Sequence, residues 1–329
     1  MKSLIIGGTQ FIGRHLVASL LKAGHDVTIL HRKPSHDLGK RVANLQADRN
    51  DPAQVLAAVN GQSFDAVFDL AYDWEHGTPC RAVATVAHGL TGNIGRYVYM
   101  SSVAAYGDGL NHHEGDALAP DDHPDTYVRN KAQTERALFR LHQRHGTPVV
   151  TIRPPFVYGP GNPMYREQFF WDRIRDKRSI ILPGDGRRLM QFAYVKDIAA
   201  ACIRAAEAPN AIGHAFNICN ARPLTQAELL DCLCAAAGRQ VPVVRIPRER
   251  ILRSGGHPMG PNLYFGMYFD LAPITMVISK AQRVLHFKPT PFAEGLKETY
   301  KWYLRHHKKT VDYSFEDRLF AKDRAALAS

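Results

Sequence analysis

The segment that most constrains this chain lies in its first 21 residues. Leu4-Ile5-Ile6 runs into Gly7-Gly8-Thr9-Gln10-Phe11-Ile12-Gly13, after which Phe11, Leu16, Leu20 and Leu21 recur at roughly helical spacing. Three apolar residues entering a glycine turn read as a buried strand, and the periodic stretch reads as a helix opening from that turn. A second strand, Val27 to Leu30, follows Gly24 and completes a βαβ unit. Glycines at the strand end and one turn into the helix let backbone N–H groups approach a pyrophosphate at the helix N-terminus. Gly7, Thr9, Gln10, Phe11, Ile12 and Gly13 are therefore candidate dinucleotide-binding positions. Gln10 stands where such loops often carry glycine, so the pyrophosphate is expected to sit slightly differently. A purely structural turn is the competing reading, and the position of the loop at the head of a βαβ unit weighs against it.

The alternation continues. Asn44 to Ala47, Ala66 to Leu70, Tyr97 to Met100 and Val149 to Ile152 read as further strands, several apolar enough to be buried on both faces, with helices over Pro52 to Val59 and Tyr127 to His145. The pattern predicts an α/β fold, a Rossmann-type doubly wound parallel sheet. Beyond about residue 160 proline and glycine become frequent, which predicts a smaller, irregular C-terminal substrate domain. Phe192 to Val195 and Phe216 to Ile218 still read as strands, so the domains are expected to interleave: 1–160 plus about 190–218 for the dinucleotide, about 161–189 plus 219–329 for the substrate.

Composition narrows the function. With 329 residues the chain needs no disulfide or metal to build a core, and its formal charge of +11 favours anionic partners without choosing among them. Five cysteines without a CxxC pair, and His112-His113-Glu114 and His306-His307 without helical ligand spacing, give no metal site and suggest a reducing cytoplasm. The apolar run at the start is too short for a signal peptide, and no run of about 18 apolar residues predicts a membrane span.

The second strand ends Leu30-His31-Arg32-Lys33. A carboxylate at this place bonds the ribose 2′-hydroxyl of NAD, whereas an arginine accommodates the 2′-phosphate of NADP, so His31 and Arg32 favour NADP over NAD. Asp48 has two open roles, a bond to the adenine amino group or a turn carboxylate. Arg49, Leu70 and Ala71, at the ends of the third and fourth strands, complete the cofactor candidates together with Pro154. Tyr127 and Lys131 stand four residues apart, on one helix face, where an ammonium can stabilise a phenolate and suit it to proton transfer. Upstream, the strand Tyr97 to Met100 ends in Ser101-Ser102, 25 residues before Tyr127 in the case of Ser102.

Taken together, these segments resemble the extended short-chain dehydrogenase/reductase superfamily, the NAD-dependent epimerase/dehydratase family within it. The resemblance implies a catalytic set of Ser102, Tyr127 and Lys131, with Tyr127 and Lys131 also beside the cofactor. It extends through Arg153 to Gly161, Leu182 to Gly186 and Phe192 to Ala199. Details of the glycine loop, of Val195-Lys196-Asp197 and of Ser314-Phe315-Glu316-Asp317 are most similar to a group containing chloroplast stem-loop RNA-binding proteins and bacterial epimerase-like relatives. The implied activity is epimerisation, oxidation or reduction at a hydroxyl or keto group of a sugar-like or nucleotide-sugar substrate. The alternative is an RNA-binding protein that has kept the fold, although nucleic acid is the less favoured partner. The family likeness also implies a homodimer packed through helices near Thr85 to Gly92 and Tyr127 to His145.

Two departures stand out. No Asp-Glu pair follows Ser102, which argues against dehydration, and Gln191 stands before Phe192 where many epimerases carry arginine. Arg187, Arg188 and Arg222 are either substitutes for that diphosphate contact or ordinary solvated residues. Trp74, Tyr165, Phe169, Phe170, Trp171, Tyr264 and Tyr268 either line a substrate pocket or belong to the core.

Overall fold

A computed structural model describes the backbone of residues 1–328 and the side chains of residues 1–321. The chain divides into two compact units, the first made of Met1–Val157, Phe192–Ala221 and Ile274–Pro289, the second of Tyr158–Gln191, Arg222–Pro273 and Thr290–Ser329.

In the first unit, β1 (Lys2–Ile6), β2 (Asp26–His31), β3 (Val42–Gln46), β4 (Ala66–Asp69) and β5 (Tyr97–Met100) join two later strands, Val149–Arg153 and His214–Asn217. From one edge the order is His214–Asn217, Val149–Arg153, β5, β4, β1, β2, β3, and every pairing is parallel. The strands β4, β5 and Val149–Arg153 are buried at every position, as required where helices cover both faces. At the edge, β3 is half-exposed, and it starts two residues earlier than its apolar pattern predicts, with buried Val42 paired to Val27. The last strand likewise begins at His214 because its register is set by Val150.

The order reverses between β1 and β4, so the crevice beyond their C-terminal ends is the topological switch point where α/β sheets bind ligands. Two helices frame it. α1 (Phe11–Lys22) leaves the glycine loop after β1, and, after α2 (Pro52–Ala58) and α3 (Cys80–Gly89), α4 (Thr126–His145) begins at Asp125, whose carboxylate accepts from the Tyr127 and Val128 N–H groups. α4 ends at Gly146 in the left-handed conformation (φ 69°). Ile274–Pro289 returns to this unit, a return absent from the sequence reading because its strand, Ile274–Met276, has only three residues; it pairs with Gly109–His112.

The second unit is built on the helices Glu167–Arg175, Gln226–Ala237 and Phe292–His306, which pack around an aromatic core. Phe169, Phe170, Trp171 and Tyr264 are buried, which assigns them to that core. Asp172, buried among them, accepts from the hydroxyls of Tyr165 (2.5 Å) and Tyr303 (2.7 Å). Among the described residues no helix is long and apolar enough to cross a membrane, and no cluster of His, Cys, Asp and Glu could hold a metal.

Candidate active site

The glycine loop is built for close approach. Gly7 has φ 94°, a region that disfavours side chains, and a Cβ there would lie 3.0 Å from both Cβ and N of Ala71. A Cβ on Gly13 would stand 2.3 Å from the Gly7 carbonyl, so α1 reaches the loop only because residue 13 is glycine. Gln10 occupies the N-cap of α1 without a side-chain cap hydrogen bond, and no acidic side chain stands in the first turn. A glycine turn opening a helix whose first turn carries no acidic side chain suits a pyrophosphate. A dinucleotide therefore fits the residues present: Gly7, Thr9, Gln10, Phe11, Ile12 and Gly13 would hold its phosphates, with Leu70 and Ala71 alongside, the Leu70 N–H donating to the Ile6 carbonyl at 3.0 Å.

At the adenosine end the candidates separate. Arg32 is exposed, and its guanidinium lies 3.5 Å from the Asp73 carboxylate. The sequence thus lacks an acid at the strand end, but the fold brings one there from the loop after β4. His31 turns its Nε2 to Asn44 Oδ1 at 2.7 Å. The Asp48 carboxylate accepts from the Asn50 N–H at 2.8 Å, the turn role. Arg49 is buried, with Nε and Nη2 on the Asp69 carboxylate and Nη1 on the Ala82 carbonyl (3.1 Å). Asp69 also accepts from the Tyr97 hydroxyl at 2.5 Å. All three nitrogens of the Arg49 guanidinium are thus engaged by groups of the protein itself.

The catalytic candidates converge on the ends of β5 and Val149–Arg153. The Ser101 N–H donates to Ile152 O (2.8 Å) and the Val103 N–H to Pro154 O (2.9 Å), so Ser102 and Pro154 lie side by side on a continued ladder. Ser102 Oγ accepts from the Ala104 N–H at 3.1 Å, capping the short helix Val103–Tyr106. That bond uses the oxygen as acceptor and leaves the hydroxyl proton to donate. Lys131 is buried and donates from Nζ to the Met100 carbonyl at 2.7 Å. Its ammonium stands 5.1, 4.8 and 5.7 Å from the ring centroids of Tyr72, Tyr99 and Tyr127. Burial pushes it down to about 8 against the partial pull of Asp69 and Glu135. Burial also raises the phenols of Tyr72 and, strongly, Tyr99, which keeps both protonated.

One turn along α4, Glu135 is fully engaged. It pairs with Arg153 Nη2 at 2.6 Å and accepts from the hydroxyls of Thr151 (2.9 Å) and Ser101. Arg153 continues to the Tyr106 hydroxyl (2.7 Å), which donates to Asn217 Oδ1 at 2.8 Å. This network, which locks the serine loop to the sheet, has no local sequence signal. Neither has the packing of Trp74 and Tyr72 against Tyr127, with centroids 5.0 and 4.9 Å away. In the second unit Arg188 donates to the Asp270 carbonyl at 2.6 Å and Arg222 to Glu228 at 3.0 Å, so both already serve neighbouring groups, while Arg187 is exposed.

A model of the NAD dependent epimerase/dehydratase family matches residues 3–219, the stretch that carries the loop, the serines and the Tyr-Lys pair. The chain belongs to that family. It is accordingly an enzyme of the epimerase/dehydrogenase type, with a nicotinamide dinucleotide as the family's cofactor. Among curated proteins it is 28% identical to the Arabidopsis thaliana chloroplast stem-loop binding protein of 41 kDa b, over 98% of this chain and 84% of that one. It is 32% identical to the 2-alkyl-3-oxoalkanoate reductase of Stenotrophomonas maltophilia, over 72% and 76%. Among solved structures, dTDP-glucose 4,6-dehydratase of Bacillus anthracis in complex with NAD superposes with a TM-score of 0.74 at 17% identity, covering 93% of this chain and 97% of that one.

Proposed function

We propose that this family member is an NAD(P)-dependent epimerase or oxidoreductase acting on a hydroxyl or keto group of a nucleotide-linked sugar, with Tyr127, Lys131 and Ser102 as its catalytic residues. The observation that carries the reading is the Lys131 ammonium, buried among three tyrosine rings with the Met100 carbonyl as its hydrogen-bond acceptor. A purely structural buried lysine would be expected on a carboxylate. Here the positive charge instead lies beside Tyr127, where it favours a phenolate. Tyr127 takes the proton of the substrate hydroxyl, or returns one to the carbonyl oxygen, and Ser102 donates a hydrogen bond to that same oxygen. When bound, the dinucleotide supplies hydride exchange at the carbinol carbon. Epimerisation returns the hydrogen to the opposite face, whereas net oxidation or reduction does not.

The cofactor preference in this proposal is NADP, carried by Arg32, which the nearby Asp73 carboxylate partly offsets. A homodimer through α4 and the helix Cys80–Gly89, which pack together within the chain, and a reducing compartment for the five free cysteines belong to the same proposal. The test is incubation of the purified protein with NADP⁺ or NAD⁺ and UDP- or dTDP-sugars, with product chromatography and absorbance at about 340 nm. An isomeric product without net absorbance change identifies an epimerase. Wild-type turnover by Tyr127→Phe would refute the mechanism.

The likeness to the stem-loop binding protein across 98% of the chain supports a second reading, RNA binding on the retained fold. Tight stem-loop affinity falling steeply with salt is its signature. Micromolar, sequence-blind binding is expected of any chain at +11.

A further inference from the structure

Trp74 is 61% exposed, the highest figure among the exposed large hydrophobic side chains of the described residues, and it stacks on Tyr127 with centroids 5.0 Å apart and planes 21° apart. Tyr72 meets both rings edge-on, at 4.9 Å from Tyr127 and 5.1 Å from Trp74. The loop that carries the indole is tightly bonded. Asp73 N–H donates to Thr78 Oγ1 (2.9 Å), Gly77 N–H to Asp73 O (2.9 Å), and the Glu75 and His76 N–H groups to Asp73 Oδ1 (2.9 and 3.0 Å). Asn50 Nδ2 holds Gly77 O at 2.8 Å from one side, and Asn130 Nδ2, on α4, donates to the Tyr72 hydroxyl at 3.3 Å from the other. Gly77 has φ 76°, and a Cβ there would press on Asn130 Nδ2 at 3.0 Å.

A fixed loop thus holds a large apolar ring open to solvent, against the side chain proposed to handle the substrate proton. Indole normally gains by burial, and holding it exposed leaves that gain for a ligand to collect. We propose that Trp74 is a specificity-determining residue that forms an apolar wall of the substrate site and stacks on the C–H face of a sugar ring whose hydroxyl meets Tyr127. The inference rests on the reading of Tyr127 as the proton-transfer residue. A pyranose presents a flat array of C–H bonds on one face and hydroxyls at its rim, which suits an indole beside a phenol. A nucleotide lacking the sugar gains nothing from this wall.

The test uses UDP-glucose and UDP as probes of the NADP⁺-loaded protein, by calorimetry and tryptophan fluorescence. Trp171 is buried and Trp302 half-buried, so Trp74 is the most exposed of the three tryptophans, and Trp74→Phe identifies its signal. UDP-glucose is expected to bind more tightly than UDP and to change Trp74 emission. Trp74→Ala should weaken UDP-glucose by about fivefold to tenfold and leave UDP unchanged, with Trp74→Phe recovering most of the loss. Equal affinity for the two probes, an emission response shared by UDP, or an equal loss for both in Trp74→Ala would each overturn the assignment. Tyr127→Phe keeps the ring and leaves these binding differences in place, so failure of the catalytic reading appears in turnover and failure of the wall appears in binding.

Discussion

Lys131 and Glu135 lie one turn apart on α4, both buried, and the fold treats their charges in opposite ways. Glu135 receives a guanidinium and two hydroxyls, a full set of partners for a carboxylate. Lys131 receives one carbonyl and three aromatic faces. A satisfied buried ion pair fixes the serine loop to the sheet, whereas an ammonium with loosened hold on its proton is suited to chemistry. On the proposed mechanism, the difference separates residues that shape the site from those that act in it.

The largest expected effect is on the acting side. Tyr127→Phe should lower turnover by about a hundredfold to ten-thousandfold while dinucleotide affinity, followed by fluorescence titration, stays near wild type. On the shaping side, Glu135→Ala leaves the Arg153 guanidinium buried without its carboxylate and should cost about 3 to 5 kcal/mol in urea unfolding. An unchanged midpoint would show that the network contributes little.

Lys131→Met breaks the comparison in the other direction, since it should abolish turnover yet stabilise the protein at neutral pH by about 1 to 3 kcal/mol. Because the folded-state titration lies near 8, below the ordinary lysine value of 10.5, the unfolded chain binds more protons between those limits. The Lys131 contribution to stability is therefore fully present above 10.5, lost as pH falls to 8, and the advantage of Lys131→Met should shrink as pH rises through that window.

How much of this was legible follows from the range of each interaction. The βαβ unit and the Tyr127/Lys131 face were readable because buried parallel strands are continuous apolar runs and i, i+4 residues share a helix face. Arg49 was not, because its partner Asp69 is 20 residues away and ion pairs leave no periodic trace. For the same reason Trp74 read as one aromatic among several until the fold stacked it on a side chain 53 positions later. Asp73 likewise reached Arg32 only through the fold.

Smaller effects sharpen the cofactor end. Arg32→Ala should weaken NADP⁺ by about tenfold and leave NAD⁺ nearly unchanged, the low end for a charge-assisted bond because the guanidinium is exposed and shared with Asp73. Asp73→Asn should strengthen NADP⁺ by about twofold to fivefold through loss of the competing charge. An unmoved affinity ratio in both variants would place Arg32 outside the cofactor site.

The contrast between the two buried charges is tested most directly by NMR titration of the side-chain εCH₂ signals of ¹³C-labelled lysine, with Lys131 assigned by Lys131→Met. A Lys131 midpoint near 8, well below the ordinary lysine value of 10.5, is the predicted result. A Lys131 midpoint indistinguishable from the exposed lysines would contradict the loosened ammonium, and with it the division of labour along α4.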